Sequence, residues 1–212
     1  MSENITEEEQ VEELKKWWAE NSRAIIIGLV IGLGGVFGWK SWQDYQQQMG
    51  VQASVQYQQA LHALDRGARD ELDSLGNQLV KEYPRTPYPA MAKLAMAKAA
   101  FEAKDGQAAR SHLQWVVDNS SDGEVVQIAR LRLSRILLDE GDQDAALKLI
   151  GSTSEAFSVA YSEQRGDIYR AKGLYDKAAE EYREALSKDP ASKTFIQMKL
   201  EDVLSRQTGV DK

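Results

Sequence analysis

The residues able to do chemistry are few in this sequence and stand apart from one another. His62 and His112 are the two histidines, and neither has a neighbouring His or a Glu-x-x-His partner on its predicted helix. A metal site needs three or four ligands converging on one point, and a general base needs a tuned partner within hydrogen-bond reach. Two lone imidazoles about 50 residues apart supply neither. Cysteine is absent, which removes disulfides, thiolate ligands and cysteine nucleophiles. "DEGDQDAAL" has the acidic spacing of a calcium loop, but it lacks the glycine at loop position 6 and the bidentate glutamate at position 12, so it reads as a solvated turn between helices. No G-x-S-x-G nucleophile elbow and no G-x-x-x-x-G-K-[ST] phosphate loop occurs. Gly32 and Gly34 begin a dinucleotide fingerprint, yet Phe37 stands where its third glycine belongs. The expectation is a protein without catalytic residues, metal or cofactor, acting by contact.

The glycines of that failed fingerprint belong to a different element. "AIIIGLVIGLGGVFGW" runs from Ala24 to Trp39 without a charge, between Arg23 and Lys40. A buried core helix and a membrane span both fit such a run, which is shorter than the roughly 20 apolar residues of a typical span. The flanks favour the membrane. Trp17 and Trp18 precede the run, Trp39 and Trp42 follow it, and tryptophan collects where hydrocarbon meets headgroups. Trp18 to Trp39 covers roughly 31 Å at about 1.5 Å per helical residue, against a hydrocarbon core of about 30 Å. Lys16, Arg23 and Lys40 can extend their charged heads into water along their stems. Gly28, Gly32 and Gly35 share one helical face, the pattern that lets a second membrane helix approach closely.

Charge sets the expected orientation. Lys15, Lys16 and Arg23 lie before the span, and Lys40 alone lies in the twenty or so residues after it, which predicts a cytoplasmic N-terminus. Trp39, Lys40, Ser41 and Trp42 do not resemble the small residues of a signal-peptidase site, so an uncleaved signal anchor is expected. The predicted organisation is therefore an acidic cytoplasmic tail over residues 1–22, a transmembrane anchor over 23–43 and a translocated domain over 44–212. The tail carries a capping box, Thr6 with Glu9, ahead of a short helix. The net charge of −7 argues against nucleic acid as a partner.

From Gln46 onward the composition is helical, with Pro84, Pro87, Pro89 and Pro190 placed where helices end or begin. "GDIYRAKGLYDKAAEEYREALSKDP" sets Gly166, Tyr169, Gly173, Tyr175, Ala178, Tyr182, Ala185 and Pro190 at the spacings of a tetratricopeptide repeat. Small residues at Gly166 and Ala178 would let two antiparallel helices touch, with Tyr169, Tyr182 and Leu186 filling between them. "LSRILLDEGDQDAALKLI" repeats the pattern with Gly141 and Ala146, and "AAFEAKDGQAARSHLQWVV" does so with Ala109, Leu113 and Val116 after a one-residue deletion. An earlier unit turns at Gly67. The fold class expected is all-α: a single transmembrane helix followed by four helical pairs of an α-solenoid. A closing helix near "TFIQMKLEDVLSRQ" would cover the last edge with Phe195, Met198 and Leu200. Repeat register places Tyr57, Leu61, Ala95, Leu131, Arg135, Leu138, Glu163 and Arg170 along the inner groove, an apolar lining mixed with charge.

The order of these features resembles one family, that of YfgM, the ancillary subunit of the SecYEG translocon of Gram-negative bacteria. The likeness rests on "KKWWAEN", on a glycine-rich span ending in "GWKSW", and on degenerate repeats including "YPRTPYPAMAKLAMAK". It implies a single-pass inner-membrane protein whose periplasmic domain works beside SecYEG and the membrane-anchored prolyl isomerase PpiD. It further implies help in passing translocated, unfolded polypeptides to periplasmic chaperones, and a cytosolic tail that restrains the response regulator RcsB. The residues alone leave a second reading open, an envelope scaffold that assembles other proteins without handling unfolded chains.

Overall fold

The computed structural model describes residues 7–151, 154–188 and 190–208. Nine α-helices and one 3-10 turn account for the secondary structure among them, with no strand. The chain divides into two units, Met1–Gln52 and Ala53–Lys212.

Helix α1 runs unbroken from Glu7 to Asp65 over 59 residues. Nothing in its sequence stops it: the first proline is Pro84, and the stretch after Trp42 is rich in Gln and Ala, which hold a helix well. The polar residues following the apolar run therefore continue as helix. Thr6, half of the expected capping box, lies outside the described residues. Every residue from Arg23 to Tyr45 is exposed within the chain, and α1 is the one helix among the described residues long and apolar enough to cross a membrane.

In the second unit the last turns of α1 pair with α2 (Arg69–Glu82), and α3 (Tyr88–Glu102) pairs with α4 (Gly106–Asn119). Helix α5 (Gly123–Asp139) pairs with the short α6 (Gln143–Leu149), and α7 (Ser158–Ala171) with α8 (Tyr175–Ser187). Helix α9 (Lys193–Thr208) packs on α8 and closes the series. Each pair turns in the same way. The second residue after the first helix adopts a positive φ: Gly67 at 70°, Lys104 at 61°, Gly141 at 85° and Gly173 at 72°. Two hydrogen bonds then close the helix end, as in Gly141 N–H to Leu138 C=O and Asp142 N–H to Leu137 C=O, and the same pair recurs at the other three turns. Asp105 and Asp142 cap the helices that follow, accepting from the backbone N–H of Ala108 and Ala145.

The turns reveal a correction to the repeat register. No residue is deleted in the second pair: Lys104 occupies the turn position itself, 37 residues after Gly67 and 37 before Gly141. A lysine conceals the turn from a search for glycine. Counting from these four residues, the fifth position onward holds Leu72, Ala109, Ala146 and Ala178, each with no exposed surface. The ninth holds Gly76, Leu113, Ile150 and Tyr182, and the seventh backward holds Ala60, Ala97, Ser134 and Gly166, all buried. In the later three pairs a small residue on the first helix thus faces a filling residue on the second, whereas in the first pair Gly76 leaves room that Met96 of α3 fills, and the pairs bury an alanine-rich core.

Tyr182 fills most in this way, and Gly166 makes the room. A Cβ at Gly166 would stand 2.4 Å from Cε1 of the Tyr182 ring, so no side chain fits there without displacing it. Ala178, Tyr182 and Ala185 have no exposed surface, Pro190 is buried after α8, and Tyr169 is half-buried against the same cluster. The closing helix differs from expectation. It turns Ile196 and Val203 inward, with Leu200 and Leu204 half-buried beside them, whereas Phe195 and Met198 are 56% and 61% exposed. The i, i+4, i+7, i+8 spacing of Ile196, Leu200, Val203 and Leu204 defines a single stripe, and Phe195 and Met198 fall outside it.

Candidate functional site

Three regions could meet a partner: the exposed apolar stretch of α1, the inner surface of the paired helices, and a charged cluster under α9. On α1, Trp17, Trp18, Trp39 and Trp42 are all exposed, with the rings of Trp39 and Trp42 in tilted contact at 5.3 Å between centroids. A Cβ added at Gly28, Gly32 or Gly35 would meet nothing within 4 Å. Their lack of a side chain therefore serves no contact among the described residues.

The residues assigned to the groove by register go to three places. Tyr57, Leu61 and Ala95 lie in seams. Tyr57 packs on Tyr88 at 5.6 Å and on the Ala53, Leu79 and Ala92 cluster, and burial pushes its phenol pKa up. Leu61 is half-buried beside Ala60, Ala63 and Leu72, and Ala95, 7% exposed, belongs to the same cluster and presents almost no surface to a guest. Leu131 and Leu138 are half-buried against the largest core cluster, which contains Leu133, Ile136 and Leu137. Glu163 and Arg170 face the chain's own last helix. Lys199 Nζ donates to Glu163 Oε1 and Asp167 Oδ2, each at 2.7 Å, and Arg170 Nη1 donates to Asp202 Oδ2 at 3.4 Å.

That contact is a network. Tyr182 Oη donates to Asp167 Oδ1 at 2.7 Å, and burial, followed by the neighbouring carboxylate, pushes the phenol pKa far up. Lys199 Nζ also stands 4.7 Å from the centre of the Phe195 ring. Arg206 donates to Asp202, holding that carboxyl below the ordinary carboxylate range. Three charged groups of α7, Glu163, Asp167 and Arg170, are thus met by α9 and not by a guest in a groove.

Of the eight, Arg135 lines an open cleft. The cleft, of about 320 Å³, lies between α3 and α5 and is lined by Ala97, Lys98, Phe101, Leu113, Arg132, Arg135, Ile136 and Asp139. Ala97, Leu113 and Ile136 form a buried apolar floor, Phe101 is 56% exposed at the edge, and Lys98, Arg132 and Arg135 stand on the rim. Register reasoning missed Lys98 and Phe101 because it misplaced one turn. Stepping back six and three positions from Gly141 gives Arg135 and Leu138, and the same steps from Lys104 give Lys98 and Phe101.

The histidines are apart from all of this. His62 is exposed near the end of α1, and His112 is half-buried on α4, where burial and then Lys93 lower its pKa. Lys93 is 8% exposed, donates to Asn77 Oδ1 at 2.9 Å and lies 5.8 Å from the Trp115 ring centre; burial lowers its pKa as well. No group of three potential metal ligands occurs among the described residues.

A long exposed apolar helix joined in sequence to stacked helical pairs defines a class, that of helical-repeat proteins built for contact with other proteins. The comparisons agree with that class and narrow it. A family model described as a tetratricopeptide repeat-like domain matches residues 15–205. A protein of Aggregatibacter actinomycetemcomitans called ancillary SecYEG translocon subunit is 34% identical over 205 residues, covering 96% of this chain and 100% of its own length. Proteins of the same name from Haemophilus influenzae and Escherichia coli are 34% and 28% identical, covering 84% and 93% of this chain and 87% and 96% of their own. The chain belongs to this YfgM family of ancillary SecYEG translocon subunits, whose repeat-like domain it carries.

Proposed function

We propose that the chain is a non-enzymatic ancillary subunit of the SecYEG translocon, held in the inner membrane by one span with its N-terminus in the cytoplasm. Its repeat domain stands on the periplasmic side, beside PpiD, and helps pass translocated polypeptides to periplasmic chaperones. The acidic tail is the segment through which a restraint on RcsB would act. The observation that carries the reading is the pairing of an apolar helix of membrane length with a repeat unit whose α3–α5 cleft remains open. The names of the relatives support the translocon as partner. The alternative, an envelope scaffold that never meets unfolded chains, draws on the basic rim of that cleft, which suits one fixed acidic partner.

The two readings separate by crosslinking. A photoreactive side chain at Phe101 or Lys98 in membranes engaged in secretion should capture SecYEG subunits and a spread of secreted chains. Capture of one or two folded envelope proteins, with no nascent chains, would establish the scaffold. Orientation has its own check: protease added to intact spheroplasts should digest the repeat domain and spare the residues before Arg23. Gly28, Gly32 and Gly35 are assigned to contact with a membrane helix of the translocon or its neighbours. Gly28→Ile with Gly32→Ile should weaken co-purification by about 1–2 kcal/mol, and unchanged recovery would remove that assignment.

A further inference from the structure

The cleft between α3 and α5 combines features that a simple apolar groove lacks. Its floor is Ala97, Leu113 and Ile136, and its edge is the exposed ring of Phe101. Three cations stand around that floor. Lys98 shares an exposed ion pair with Glu102 at 3.8 Å, and the recorded contact of Arg135 is with a neutral partner, Nε to Gln164 Oε1 at 3.4 Å. Among the described residues no carboxylate lies within ion-pair distance of the Arg132 or Arg135 guanidinium, although Asp139 lines the same cleft. Some cations elsewhere in the second unit are met by carboxylates, as Arg69 is by Asp105, Arg110 by Glu140, Arg165 by Glu181 and Lys199 by Glu163. Arg132 and Arg135 differ from the other cations in standing together, without such a partner, beside an apolar floor, in a chain of net charge −7.

We infer that the α3–α5 cleft binds an extended segment of a partner polypeptide in which a large apolar side chain adjoins a carboxylate. The apolar group packs on the exposed Phe101 ring at the mouth, over a floor of Leu113 and Ile136 that offers little surface of its own, and the carboxylate accepts from Arg132 and Arg135. A guanidinium suits this role because its planar fork can donate two parallel hydrogen bonds to one carboxylate. The cleft volume of about 320 Å³ lies at the low end of the about 300–1,000 Å³ of ligand pockets, enough for one anchoring group and not for a folded element. Recognition is then short and tolerant: one apolar anchor and one acid in many sequence contexts. The inference deepens the proposed function by naming the chemistry of the segments that the repeat domain would take.

The test uses the full-length chain in nanodiscs of phosphatidylcholine, which carries no net charge. Fluorescent glycine-serine peptides with a central Phe flanked by Glu, the same peptide with Lys for Glu, and one with Ser for Phe are titrated by anisotropy. The Phe-Glu peptide should bind about tenfold more tightly than either other peptide, and rising salt should erase its advantage over the Lys peptide while leaving its advantage over the Ser peptide. The R132E/R135E double variant should lose about tenfold for the Phe-Glu peptide and gain for the Phe-Lys peptide. Because Arg135 touches Gln164, R132E alone serves as the second variant, with an unchanged thermal transition as the check on folding. F101A should weaken both Phe peptides and leave the Ser peptide alone. Equal binding of the three peptides, or wild-type preference in R132E/R135E, overturns the inference. So does a self-associated chain that dissociates in R132E/R135E, since a second copy would then be the occupant. Failure with the peptides while SecYEG crosslinks persist sinks the cleft alone, whereas the expected peptide preference without any such crosslinks sinks the translocon reading alone.

Discussion

Lys104 holds a backbone conformation that glycine holds in the other three turns, with φ at 61°. For an L-residue the left-handed region costs roughly 1–2 kcal/mol, because Cβ approaches the following carbonyl. Lys104→Gly should therefore raise unfolding stability by about 1 kcal/mol, less the greater freedom of glycine in the unfolded chain, and a higher midpoint in denaturant would record it. Gly166 shows the opposite constraint. Its added methyl would press on a Tyr182 ring that has no exposed surface and is tied by its hydroxyl to Asp167. Gly166→Ala should cost about 1–3 kcal/mol, the scale of an overpacked core, and the midpoint should fall. A neutral result would mean that the ring has somewhere to go. Glycine at one site and lysine at another were both visible as letters, but only the backbone angle and the ring distance gave them meaning.

At the scale of the element, α9 shows how a periodicity can be recognised and its face misassigned. The helix itself is legible, since Pro190 stops α8 and a helix-forming run follows. Which stripe turns inward was not, because Phe195 and Met198 are as apolar as Ile196 and Val203 and differ from them only in where α7 and α8 lie. The structure buries Ile196 and Val203 and secures the helix with Lys199 between Glu163 and Asp167. Ile196→Ala should destabilise the repeat unit by about 2–4 kcal/mol, whereas Phe195→Ser should stay within about 1 kcal/mol. Thermal melts of the two variants decide between the faces, and a larger loss for Phe195→Ser would reverse them. The long α1 carries a related lesson: composition located its apolar run, while helix continuity from Glu7 to Asp65 follows from the absence of any breaker.

For the whole molecule, pH should act in two steps. The pKa of His112 is lowered by burial and by Lys93, with Arg69 opposing protonation while Asp73 and Asp105 favour it. A base with a lowered native pKa binds its proton less tightly when folded, so stability is full above the unfolded value of about 6.5 and declines as pH falls from there to the native pKa. Asp202 and Asp105 have lowered native pKa values, through hydrogen bonds from Arg206 and Arg69 respectively, so their contribution is present above about 3.9 and lost below it. Denaturant midpoints measured across pH should thus decline first below about 6.5 and again below about 4. His112→Gln should remove the first decline and keep the second; retention of both would assign the first to other groups.

The sequence by itself determined the all-helical class, the apolar stretch between paired tryptophans, the four helical pairs and the closing helix. Each of these depends on local order: hydrophobic period, proline placement and the recurrence of small residues a fixed distance from a turn. Only the tertiary structure decided which side chains remain free to meet a partner. Glu163 and Arg170 are charged, as Arg132 and Arg135 are, yet α9 occupies the first two and leaves the second two beside an open apolar floor. Leu131 and Leu138 repeat at helical spacing as a groove lining would, and they rest half-buried on the core. The reason is physical: exposure belongs to the arrangement of neighbouring helices around a residue, and that arrangement is set by packing between segments distant in sequence.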